Sequence, residues 1–326
     1  MSADPTGCRP LADSEAARLE RAGLLGSPRA RAWVSELQGP AGTIAPERVL
    51  TARLYGSLDL EVLPSRGLDI GDTRLRGVPV SWFSPVSDAR ALDSPRGHDW
   101  GRRFTGGLVT TCGYRNVGPT RNDQGQHGDA NHLPARQVSW RALDDELIIH
   151  GIIDSAALVG PSFRTERTIS LRSLTDGSAE VDLTDVITCT GSEPAPLEVL
   201  YHVNLGAPLV VPGTWVDARA ESTICVDGDA VLLHEELSGG PSGWASVSVT
   251  SPQGDRSARI SWRTAELPLA HEWRLPVRSR YALGIEPCTT PLHDEQRARL
   301  APPLLEPGES REHRLTIEVH DAALVP

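Results

Sequence analysis

From about Ile44 to its C-terminus the chain is a succession of short extended runs, and this succession limits its fold more than any other feature. "RVLTARLYGSLDLEVLP", "GGLVTTCGY", "ELIIHGIID", "FRTERTISLRS", "AEVDLTDVIT" and "REHRLTIEVHDA" each alternate apolar with polar residues or are rich in β-branched ones, the signature of strands with one buried face. The 30 glycines and 26 prolines supply the turns between them. No fixed-period repeat, low-complexity tract or long linker interrupts the series, so residues 44–326 are expected to form one large β domain. Before it, "LADSEAARLERAGLLGSPRARAWVSEL" has helix-forming composition broken by "GSP", which predicts a short helical N-terminal extension over residues 1–43.

Composition excludes several functions. The formal net charge of -11 argues against a nucleic-acid partner, whose binding rests on clustered basic side chains. No lysine occurs, so neither Schiff-base chemistry nor a phosphate-loop lysine is available. The absence of a long apolar run, and of a charged start with an apolar centre at the N-terminus, predicts no membrane partner and a cytoplasmic location. Cys8, Cys112, Cys189, Cys225 and Cys288 are scattered and odd in number. They read as reduced structural thiols rather than disulfides or zinc ligands.

Four segments carry polar residues that strand packing alone does not require. In "LEVLYHVNLGAPLVVP", His202 and Asn204 lie two apart and so share one face of an extended strand, while Tyr201, Val203 and Leu205 take the other. In "SRGLDIGD", Arg66 and Asp69 flank a Gly-Leu turn, where a local ion pair is the plain alternative to ligand binding. In "GQHGDANHLPAR", His127 and His132 stand five apart in a Gly- and Pro-containing loop, without the spacing or further donors of a metal site, so no metal is expected. In "HEWRLPVRSRYALGIEP", Glu286 closes an apolar strand, with Trp273 and Arg274 upstream. A histidine and a glutamate brought together form an acid/base couple, and a flat indole beside Arg, Asn, Asp and His suits a monosaccharide.

"GGLVTTCGYRNVG", "HGDANHLPAR", "LYHVNLGAP" and "YALGIEP" together resemble the aldose 1-epimerase (galactose mutarotase-like) superfamily, most closely its DUF4432 branch, from about Arg66 to the C-terminus. The resemblance implies an all-β, large twisted antiparallel β-supersandwich. It implies Glu286 as general base on the anomeric hydroxyl and His202 as general acid to the ring oxygen, with His127 and Asn204 holding the sugar and no cofactor. The aspartate that mutarotases place between the second histidine and the glutamate has no assigned counterpart among Asp217, Asp227 and Asp229.

The expected function is therefore an isomerase that interconverts the anomers of an aldose or modified aldose. Its partner is a small sugar bound by Arg66, Asp69, His127, Asn204, Trp273 and Arg274 around the catalytic His202 and Glu286. The alternative is a carbohydrate-binding or sensing protein on the same scaffold, since a fold does not fix a function. A lyase or glycosidase is a third class, but a glycosidase calls for two suitably spaced carboxylates and only Glu286 is nominated.

Overall fold

Two antiparallel sheets lie face to face in the computed structural model, which describes residues 15–38, 48–86, 99–121, 124–143, 146–174, 176–219, 222–225, 230–234 and 242–322, with backbone alone at 218–219, 222–225 and 230–234. The front sheet has ten strands among the described residues. Its order is Ala32–Gln38, Arg48–Leu54, Leu58–Leu63, Asp69–Leu75, Val109–Tyr114, Glu198–Leu205, Ala282–Cys288, Leu269–Leu275 and Ala230–His234, with Val78–Pro79 paired to the Asp69 strand. The back sheet has nine, in the order Ser222–Cys225, Trp215–Arg219, Trp244–Thr250, Arg256–Arg263, Ser310–Asp321, Ala179–Cys189, Phe163–Ser173, Glu146–Ser155 and Ala135–Ala142. This is the all-β architecture that the alternating runs lead one to expect.

Burial follows the side-chain alternation and then departs from it where the chain has a second use for the sheet. In the back sheet Glu146–Ser155 and Ala179–Cys189 alternate strictly between buried and partly exposed residues, as strands with one wet face do. Their inward residues, such as Ile149, Val181 and Leu183, join Ile70, Val109, Val199, Tyr201 and Val203 of the front sheet in one apolar cluster. Three central front strands, Val109–Tyr114, Glu198–Leu205 and Ala282–Cys288, are buried at every position. Their outer face is therefore covered as well. A second apolar cluster does this, with Trp82, Trp100, Phe104, Val117 and Leu292 packed over Cys112, Leu200 and Cys288.

One polar network crosses the inner core. Arg167 places its Nε and Nη2 on Asp185 at 2.8 and 2.7 Å, its Nη1 on Asp69 Oδ1 at 2.6 Å and on the Gly67 carbonyl, and its Nη2 also on Thr111 Oγ1. All five guanidinium N–H groups are thus used, which is what a charge so deeply buried needs. Tyr201 donates its hydroxyl proton to Asp185 Oδ2 at 2.7 Å, tying the Glu198–Leu205 strand to the same cation.

One expectation changes at the N-terminus. A helix does form, at Glu15–Arg21, but Ala32–Gln38 is a strand paired in register with Arg48–Leu54, so the front sheet begins inside the segment expected to be helical. Hydrogen bonding to a neighbour outweighs the helix-forming composition there. Residues 1–14 and 39–47 of the expected extension lie outside the described residues. Cys112, Cys189 and Cys288 are free and buried; Cys8 and the Cys225 side chain lie outside the description. Among the described residues no helix is long and apolar enough to cross a membrane.

Candidate active site

The covered outer face of the front sheet holds an imidazole and carboxylate cluster. Val203 pairs with Ile285 across the Glu198–Leu205 and Ala282–Cys288 strands, which sets His202 beside Glu286; Nε2 and Oε1 are 3.0 Å apart. On the other flank of the glutamate strand, His271 is the direct cross-strand partner of Glu286. The carboxylate thus lies between a histidine from each neighbouring strand, and both histidines and the glutamate are buried.

Gly284 makes the His202 contact possible. A Cβ at that position would stand 2.8 Å from His202 Cε1 and 3.1 Å from Glu286 Oε1, so the imidazole lies directly over the glycine on its way to the carboxylate. Asn204 shares the His202 face as expected. Its Nδ2 donates to the carbonyls of Gly107 and His202, at 3.0 and 2.9 Å, while its Oδ1 and His202 Nδ1 are buried without a hydrogen-bond partner.

His127 comes from a loop. Its backbone φ of 59° is left-handed, a conformation a non-glycine residue holds only when its surroundings require it. Here the His127 carbonyl accepts from the Gly113 N–H at 3.0 Å and its own N–H donates to Gly118 O at 2.8 Å, clamping the loop to the end of the Val109–Tyr114 strand. Nδ1 accepts from the Gly118 N–H at 3.3 Å. Burial pushes this imidazole down to about 4, so at neutral pH it is uncharged, with its proton on Nε2. Burial alone would push the Glu286 carboxyl up, but His202, by charge and hydrogen bond, and then His271 and His127 hold it below its ordinary value. The glutamate is therefore ionised and able to accept a proton.

Aromatic rings close the cluster. Phe104 and Trp273 stand 4.9 and 5.3 Å from the His202 ring, Trp100 stacks on Phe104 at 4.2 Å and lies 4.5 Å from His127, and Trp82 touches Trp273 at 5.7 Å. The site is roofed: His202 is 3% exposed and Glu286 2%.

The structure thus gathers His202, Glu286, His127, Asn204 and Trp273, and turns two expected sugar ligands away. Asp69 lies on the inner face with Thr111 and Arg167, because Thr111 is opposite Tyr201 while Thr110 is opposite His202. Arg274 is next to Trp273 on a regular strand and so points to the opposite face, where it binds Glu272 at 2.6 Å. Both are structural ion pairs. Arg66 is buried in the turn before the Asp69 strand, and that turn is bonded through Gly67 N–H to the carbonyl of Leu133, beside the buried His132. Asp217 is exposed on a back-sheet strand, and Asp227 and Asp229 lie outside the described residues. Sequence reasoning missed His271, Trp82, Trp100 and Phe104. His271 had a legible signal in "HEW", two residues from Trp273 and so on its face.

The family described as "Domain of unknown function (DUF4432)" matches residues 46–231 and 226–319. No curated protein matches the chain. Among solved structures, a candidate aldose 1-epimerase from Klebsiella pneumoniae superposes with a TM-score of 0.78 at 24% identity, over 90% of this chain and 84% of that one. A galactose mutarotase-like protein from Clostridium acetobutylicum gives 0.58 at 11% identity, over 89% and 99%. A candidate mutarotase from Salmonella typhimurium gives 0.60 at 11%, over 88% and 97%. At these identities the likeness establishes a galactose mutarotase-like fold.

Proposed function

The chain belongs to the DUF4432 family, and from that premise we propose that it is an isomerase interconverting the anomers of an aldose, with Glu286 as base and His202 as acid. The observation that carries this reading is the buried 3.0 Å contact between His202 Nε2 and Glu286 Oε1 beneath aromatic rings. Such a pair can take one proton and give another within a space that excludes water.

The step is balanced without any added reagent. The Glu286 carboxylate removes the proton of the anomeric hydroxyl as protonated His202 delivers one to the ring oxygen. The bond from C1 to the ring oxygen breaks, leaving an open-chain aldehyde. Rotation about C1–C2 presents the other carbonyl face, and the same transfers in reverse close the ring. His127, donating through Nε2, and Asn204, accepting at Oδ1, are placed to hold hydroxyls. Trp100, Phe104 and Trp273 offer apolar faces to the sugar's C–H groups. Because these rings rest on His202, entry of a sugar requires the Trp100–Phe104 segment to shift.

The test is a panel of freshly dissolved, anomerically pure sugars followed by polarimetry or NMR, with and without protein. Glu286→Gln should lower turnover by roughly 10²–10⁴ while leaving sugar affinity within about tenfold. A folded Glu286→Gln protein with full turnover sinks the assignment. Binding of a sugar by wild type with no acceleration for any member of the panel would favour a binding protein instead.

A further inference from the structure

His127 is held by more than its own loop. The N–H that meets its Nδ1, at 3.3 Å, belongs to the peptide joining Val117 to Gly118. The carbonyl of that same peptide, Val117 O, accepts from Nη2 of Arg297, in the short helix Asp294–Arg297. A buried guanidinium thus sits at one end of a single amide and the imidazole at the other. A cation on the carbonyl oxygen polarises the amide and makes its N–H a stronger donor. An N–H aimed at Nδ1 in turn leaves the proton of a neutral imidazole on Nε2.

The peptide is fixed from three sides. Glu198, four residues before His202 and on the same face of its strand, accepts the Val117 N–H on Oε2 at 3.1 Å. The same oxygen accepts Nη1 of Arg297 at 2.7 Å, and Glu198 Oε1 pairs with Arg121. Arg297 therefore forks between one carboxylate and one particular carbonyl, which sets a direction that a single point charge cannot. Gly118 closes the third side: its φ is 83°, and a Cβ there would stand 2.4 Å from the carbonyl oxygen of Leu292.

We propose that Arg297 is a positioning residue for His127, setting through the Val117–Gly118 peptide both the direction of the imidazole and the nitrogen that carries its proton. Nε2–H is the group that His127 turns toward a sugar hydroxyl in the isomerase reading. The catalytic consequence of Arg297 rests on that reading, whereas the arrangement of the imidazole does not. Glu286, His202 and His271 also act on this imidazole by charge, and none of the variants below alters them.

The test is NMR of the histidine ring nitrogens in the full chain, with the His127 signals identified by their loss in His127→Asn. Wild type should show the Nε2–H tautomer, uncharged until the pH falls to about 4. Two variants remove the grip on Val117 O. Arg297→Lys keeps a charge beside Glu198 but lacks the fork, while Glu198→Met combined with Arg297→Met removes both buried charges together, leaving only the part-exposed Arg121 without that carboxylate. In either variant the two His127 tautomers should mix, and protonation should move up toward the ordinary 6.5, because an amide N–H on Nδ1 favours the neutral ring. On a sugar that wild type anomerises, turnover should fall about tenfold or more. A wild-type ring protonated on Nδ1 overturns the proposal. So does a folded variant with wild-type tautomer and titration, whatever its melting temperature, since a merely structural Arg297 would change stability alone. If wild type anomerises no sugar, the isomerase reading fails and the ring nitrogens still decide the role of Arg297.

Discussion

Replacing Gly284 by alanine asks whether the imidazole lies where the structure puts it. The added Cβ would be 2.8 Å from His202 Cε1 and 3.2 Å from His202 Nδ1, against a comfortable carbon–carbon separation of roughly 3.5–4.0 Å. The ring has little room to yield, with Phe104 at 4.9 Å and Trp273 at 5.3 Å on its other sides. Overpacking of this kind costs about 1–3 kcal/mol, offset by roughly 0.5–1 kcal/mol when a strand glycine gains a side chain. The expected net loss is about 0–2.5 kcal/mol, modest beside the geometric effect on the 3.0 Å contact with Glu286. Denaturant unfolding of wild type, Gly284→Ala, His202→Ala and the double variant isolates the cause. With the imidazole gone, the alanine should be neutral or stabilising, giving a coupling of about 1–3 kcal/mol, the overpacking cost itself. An equal cost in both backgrounds would refute the claim that His202 occupies the space above Gly284. If the chain is an isomerase, Gly284→Ala should also lose about 10²-fold or more in turnover while remaining folded.

Acid should weaken the fold before most carboxylates titrate. Burial pushes His127 and His313 each down to about 4 from an ordinary 6.5, so the unfolded chain takes up protons first and the stability present above 6.5 is lost progressively as pH falls toward 4. At pH 5 this amounts to roughly 2 kcal/mol per histidine. Unfolding free energies between pH 8 and 4.5 should therefore flatten in His127→Asn, and an unchanged slope would count against a buried neutral imidazole. Trp273→Ala removes packing against His202, Trp82 and Phe104 and should cost roughly 2–3 kcal/mol. A thermal melt matching wild type would show that the indole packs nothing and serves only a ligand.

The parts of the site that rest on alternation within one strand were legible in the sequence, and those that rest on distant partners were not. "YHVNL" places His202 and Asn204 on one face and Tyr201 on the other, as the structure has them. The same rule, applied to "HEWR", separates Arg274 from Trp273 and joins His271 to it, so the misplacement of Arg274 and the omission of His271 were avoidable. Asp69 was different. Its partner Arg167 is 98 residues away on the other sheet, and nothing local distinguishes a carboxylate awaiting a sugar from one awaiting that guanidinium. Ala32–Gln38 is a similar case, since its pairing with Arg48–Leu54, not its composition, makes it a strand. The aromatic roof is tertiary as well: Trp100 and Phe104 reach His202 from a segment with no sequence proximity to it.

Tyr201 and His202 are consecutive residues with incompatible surroundings, the first bound to the buried Asp185 and Arg167 network and the second to Glu286 under the aromatic rings. A slip of the strand by one position would exchange them, sending an imidazole into the ionic core and a phenol into the site. The stretch from Glu198 to Leu205 is therefore one in which length matters more than identity: apolar residues can be exchanged for others of like size, but a single inserted or deleted residue dismantles the core and the candidate site together. Variation in length among related chains should be confined to the turns on either side of it, and a library of single-codon deletions through this strand should yield no folded protein.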